Sequence, residues 1–115
     1  MDIYDSANAL AAEIRESELR KEYGRLHEEV MADETNRALL KEYKRLQMVL
    51  QMQAVSGGQA SPEDTARFAQ LSSLLYMNAD VQAYLLAEMN LQKTLADVIK
   101  LLTDAAGIQL DMFEQ

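Results

Sequence analysis

The side chains that could do chemistry are few and poorly grouped. His27 is the only histidine. A relay of histidine and carboxylate needs a nucleophile and a pocket, and neither is signalled around it. A lone histidine on a charged helix reads as a solvated surface residue. Glu28, Glu29, Asp33 and Glu34 are dense enough to suggest a metal cluster. Di-metal helical bundles, however, use Glu-x-x-His pairs on facing helices, and the position three before His27 is Gly24. Gly57-Gly58 lacks the Gly-Lys that completes a phosphate loop. The chain has no cysteine, which excludes thiolate catalysis, disulfides and cysteine-ligated metals. The expectation is a protein that is not an enzyme and calls for neither metal nor cofactor.

The chain has 115 residues with 49% hydrophobic and 26% charged residues, the proportions of one folded domain. A single proline and four glycines leave long stretches free to be helix. The first residues, Met1-Asp2-Ile3-Tyr4-Asp5, carry no basic region and no apolar run, so a secretory signal is not expected. The longest uncharged stretch, Leu46 to Pro62, is too rich in Gln, Ser and Gly to span a bilayer. A formal net charge of -8 disfavours direct binding to a phosphate backbone. These features predict a cytoplasmic protein with no membrane and no direct nucleic-acid partner.

Helical periodicity runs nearly throughout. Ile3, Ala7, Leu10 and Ile14 form one stripe; Leu19, Tyr23, Leu26 and Val30 form the next. No Gly or Pro marks their junction near Ser17, so the two helices are open to running together. Asp33 is placed to cap a long third helix that carries Leu40, Tyr43, Gln47, Leu50 and Ala54 on one seam and Leu39, Leu46 and Val49 beside it. Gly57-Gly58 breaks it. Ser61-Pro62-Glu63-Asp64 then restarts a helix, with Ser61 as cap and Pro62 in its first turn. Asn78-Ala79-Asp80 opens a fifth helix with Val81, Leu85, Leu91, Leu95, Val98, Ile99 and Leu102 on its stripe, and Gly107 ends it. Tyr23, Tyr43 and Tyr84 lie on or near these stripes as packing residues. The predicted class is all-α: a long antiparallel helical hairpin with two shorter N-terminal helices, assembling into an oligomeric helical bundle. Residues 1–107 form one helical domain and 108–115 a short C-terminal tail.

Charge is uneven along the chain. Leu46 to Pro62 and Phe68 to Ala79 carry none. A hairpin turning at Gly57-Gly58 is expected to make these stretches neighbours at one end. Met48, Val49, Leu50, Met52 and Val55 point in most directions around their helix, more than a single core face needs. Met48, Val49, Met52, Val55, Leu71 and Leu75 are therefore the expected interface with a second copy or another protein. Arg37, Lys41, Lys44 and Arg45 share one helix face. Pairing with Glu34 and Glu42 at helical spacing accounts for them; a docking strip for an acidic partner is the alternative.

The order of elements resembles the YlbF/YmcA/YheA group of small helical bacterial regulators. The resemblance rests on residues 9–17 (Ala-Leu-Ala-Ala-Glu-Ile-Arg-Glu-Ser), on Val30-Met31-Ala32-Asp33-Glu34 with Leu40-Lys41-Glu42-Tyr43, on Leu46-Gln47 with Gln51, Gln53 and the Gly57-Gly58 turn, and on residues 77–84 with Ala87-Glu88. Together these cover roughly Tyr4 to Ala106. The resemblance implies a self-associating all-α fold and a cytoplasmic regulatory role. It also implies assembly with related helical regulators, in a complex that influences the ribonuclease RNase Y, competence, sporulation and biofilm formation. Some members of that assembly hold iron–sulfur clusters through cysteines. This chain has none to offer, so the fitting comparison is with YheA-like members.

A second class of function comes from the tail. Gln109-Leu110-Asp111-Met112-Phe113 resembles the short peptide with which many bacterial proteins dock on the DNA polymerase sliding clamp, type sequence Gln-Leu-Ser/Asp-Leu-Phe. Gln109, Leu110, Met112 and Phe113 would be its contact residues: a polar anchor followed by apolar side chains that fill a pocket. The other expectation is that they fold back onto the bundle.

Overall fold

The computed structural model describes residues 2–108. All regular structure among them is helical: α1 (Ile3–Glu16), α2 (Glu18–Ala32), α3 (Glu34–Val55), α4 (Pro62–Tyr76) and α5 (Ala79–Ala106). The breaks have local causes. Ser17 adopts an extended conformation (ψ 151°), and its Oγ accepts from the Arg20 amide at 3.2 Å, so it caps α2 and separates it from α1. The Asp33 carboxylate accepts from the Asn36 amide at 2.9 Å. Ser61 Oγ accepts from the Asp64 amide, with Pro62 opening α4. Asn78 Oδ1 takes the amides of Asp80 and Val81. Gly57 (φ 81°) and Gly107 (φ 74°) end α3 and α5 in the left-handed conformation that side chains disfavour.

The helices divide into two compact units. Gly24–Leu85 holds the end of α2, all of α3 and α4, and the first turns of α5. The other unit joins the described residues of Met1–Tyr23 to those of Leu86–Gln115. Every buried hydrophobic residue among those described lies in the first unit: Leu26, Val30, Leu40, Tyr43, Leu46, Leu71, Leu75, Val81, Tyr84 and Leu85. Of the expected hairpin of the third helix against the fourth and fifth, the α3–α4 part is there, the two packed on each other; α5 beyond Leu85 belongs to the other unit.

Its register corrects one expectation. Tyr43 stacks on Phe68 with ring centroids 4.9 Å apart, Arg67 clasps Glu42, and Asn78 reaches Asn36. The uncharged stretch 68–79 therefore runs beside 36–43, not beside the uncharged end of α3. A turn of only a few residues sets this offset, and composition does not reveal it.

The Arg67–Glu42 pair is bidentate, with Nε to Oε2 at 3.0 Å and Nη2 to Oε1 at 2.8 Å. These hydrogen bonds hold the Glu42 carboxyl below its usual pKa, and the same contact raises that of Arg67. A lowered carboxylate pKa adds stability that is present above the unfolded value and is lost as pH falls through the folded one. Both side chains are partly exposed, so the effect is small. Glu42→Gln should show a lower urea midpoint than the wild type at neutral pH. The gap should close in acid; a gap that persists there would put its origin elsewhere.

Candidate functional site

The residues that could do chemistry are occupied with structure. His27 is half-buried rather than solvated, its ring 5.7 Å from that of Tyr84. Lys44 Nζ lies 6.0 Å from the centre of the same Tyr84 ring. Glu29 accepts from Arg25, and Asp33 is a helix cap. No group of three or more His, Asp or Glu side chains among the described residues is placed to hold a metal. No helix of the described residues is long and apolar enough to cross a membrane.

What remains is surface, and two apolar stripes stand out. The first is on α3, in the hairpin unit. Met48, Met52 and Val55 are 62%, 65% and 75% exposed and line a shallow depression of about 370 Å³ with Gln51 and Ser56. Val49, beside them, is half-buried. Leu71 and Leu75, expected at the same interface, are instead fully buried in the chain's own core. This is a correction with a plain cause: they face α3 across the hairpin and are covered already, so a partner has nothing of them to touch.

The second stripe is on α5, in the other unit, where no described residue is buried. Leu91, Leu95 and Val98 share a groove of about 190 Å³ with Leu10 and Ile14 of α1. Leu95, Leu101 and Leu102 are exposed beside it. The charges of this segment are already satisfied along the helix: Lys93 with Asp97 at 2.9 Å, and Lys100 with Asp104 at 3.1 Å. Helical periodicity marked Leu91, Leu95, Val98 and Leu102 as a stripe, but gave no sign that its own chain leaves it open.

Helical spacing alone does not account for every basic side chain of α3, although Arg45 lies near enough to Glu42 to help lower its pKa. Glu42 is bound by Arg67 of α4. Arg37 Nη1 donates to the Met31 carbonyl at 3.1 Å. Lys41 and Arg45 are exposed and form no ion pair among the described residues. The tail residues Gln109, Leu110, Met112 and Phe113 lie outside the described residues.

Comparison with known proteins gives this all-helical chain a place. Residues 3–105 match the profile of the family described as "Control of competence regulator ComK, YlbF/YmcA". The chain belongs to the YlbF/YmcA family. A UPF0342 protein of Caldicellulosiruptor saccharolyticus is 30% identical over 112 residues, covering 97% of this chain and 93% of its own. One from Lactobacillus delbrueckii subsp. bulgaricus is 33% identical over 100 residues, covering 87% and 86%. A solved structure from Bacillus stearothermophilus, described as a protein of unknown function (DUF964), superimposes with a TM-score of 0.76 at 21% identity. It covers 91% of this chain and 92% of that one, and at that identity it speaks to the fold alone. The YlbF/YmcA family is thus named for control of a competence regulator, and neither its description nor the UPF0342 relatives' names carry an enzymatic activity.

Proposed function

We propose that this YlbF/YmcA-family chain is a non-enzymatic cytoplasmic regulator that acts by assembling with other proteins, first with further copies of itself. The observation that carries this reading is the α1/α5 unit, which has apolar stripes and no buried residue among those described. Two helices side by side cannot enclose a core; four can. A second copy supplying its own α1 and α5 would turn half-open seams into a bundle interior.

Family membership supports the rest of the proposal: participation in a regulatory complex linked to RNase Y, competence, sporulation and biofilm formation, with related helical regulators as partners. Without cysteine the chain has no ligands for an iron–sulfur cluster, so its part in such a complex is structural contact. The test is sedimentation velocity across low to high micromolar protein, together with affinity purification of the tagged chain from its native cell. Concentration-dependent assembly and recovery of RNase Y-associated proteins are expected. A protein that stays monomeric at the highest concentration and returns alone would overturn the proposal.

A further inference from the structure

Among the described residues, the solvent face of α3 is a seam without a partner. Glu34, Ala38, Lys41, Arg45, Met48, Met52 and Val55 recur at steps of four, three, four, three, four and three. That is the spacing of a coiled-coil contact line. All of these residues are exposed. The buried residues of the same helix, Leu40, Tyr43 and Leu46, lie on the opposite side and are used up against the rest of the hairpin. The helix therefore has two working faces, and the outer one changes character along its length. Its first half opens on Glu34 in the first helical turn and then carries the basic Lys41 and Arg45. Its second half is apolar, at Met48, Met52 and Val55, over the depression of about 370 Å³.

We infer that this face docks an amphipathic helix of another protein, one that carries apolar residues at consecutive seam positions and acidic residues at the next. The inference rests on the reading above of a protein that works by assembly, and it names the partner's chemistry.

A second copy is a poor occupant of this face. Parallel pairing of α3 with its own copy would set Lys41 on Lys41 and Arg45 on Arg45. Antiparallel pairing centred on Met48 would press Lys41 and Arg45 against Val55 and Met52, removing charges from water without a counter-charge. Centred on Met52, it would match the apolar half with itself but leave Lys41 and Arg45 beyond the partner helix, without a counterpart. Nucleic acid is a poor occupant too, because the cationic strip is short, ends in methionine and sits on a chain of net charge -8. An acidic and apolar helix satisfies both halves at once. Methionines suit such a site because their unbranched, polarizable side chains adapt to the shape of what they meet.

The experiment uses the full chain and a fluorescent synthetic helix with Leu at three successive seam positions and Glu at the next two. A control peptide carries Lys in place of the two Glu. Anisotropy titrations should show the acidic peptide binding more tightly than the basic one, by about tenfold or more for the two charge contacts. Lys41→Glu with Arg45→Glu should invert that preference, and Met52→Gln should weaken both peptides. The same titrations are run on Leu101→Glu with Leu102→Glu, which removes the proposed self-association stripe. Retained peptide binding there separates this site from that one.

Equal binding of both peptides, binding of neither, or a preference that the charge reversal leaves in place would overturn the inference. Self-association abolished by Met52→Gln but kept in the Leu101/Leu102 variant would also overturn it, by giving the face to a second copy.

Discussion

Leu71→Ala should lower the free energy of unfolding by about 2–5 kcal/mol, the range for deleting a fully buried leucine from a packed core. Leu71 is 0% exposed, and Leu40, Leu46 and Leu75 are almost equally covered. The only buried side chains among the described residues are those of the hairpin unit. A small core of this kind has little surrounding mass to collapse into a cavity. Against a typical total of about 5–15 kcal/mol, the loss is a large share of what keeps the chain folded. Urea unfolding followed by circular dichroism checks it. The midpoint should fall with little change in slope, and by the same amount at two protein concentrations. A shift below about 1 kcal/mol, or one that grows on dilution, would return Leu71 to an interface between copies.

The second large effect should be on assembly. Leu101→Glu with Leu102→Glu places one carboxylate on the α5 stripe, at Leu102, and one on the apolar surface beside it, at Leu101. The leucines are 69% and 59% exposed in the single chain, so the fold loses little when they are replaced. If the stripe is buried between copies, each change removes an apolar contact and puts a charge where water is excluded. Central interface residues of this kind are worth on the order of 2 kcal/mol each, so the pair should weaken association by roughly a thousandfold. Sedimentation should show monomer at concentrations where the wild type associates, while the helical signal stays as it was. An unchanged sedimentation profile would clear α5 of any part in assembly.

Much of the fold was legible because its signals are local. Asp33, Ser61 and Asn78 cap the helices they were expected to cap, and Gly57 and Gly107 end theirs. Ser17 carried the same kind of signal, a hydroxyl able to accept an amide one turn on. The absence of Gly and Pro masked it, since those are the usual marks of a break. The candidate surfaces were legible only in part. Met48, Met52 and Val55 stand exposed as an unusually apolar helix end suggested, whereas Leu71 and Leu75 belong to the core. Both groups are uncharged and helical, and nothing in their spacing separates them.

By itself the sequence determined the helices and, except at Ser17, their limits, because capping and glycine conformation act within a few residues. Only the tertiary structure decided which apolar stripes are covered. The hairpin register sets Leu71 and Leu75 against α3, gives Glu42 to Arg67, and leaves Lys41, Arg45 and Met52 facing water. It does so because burial and ion pairing depend on which distant segment arrives opposite each residue. A helix carrying two apolar faces is compatible with either one being turned inward until its neighbour has chosen.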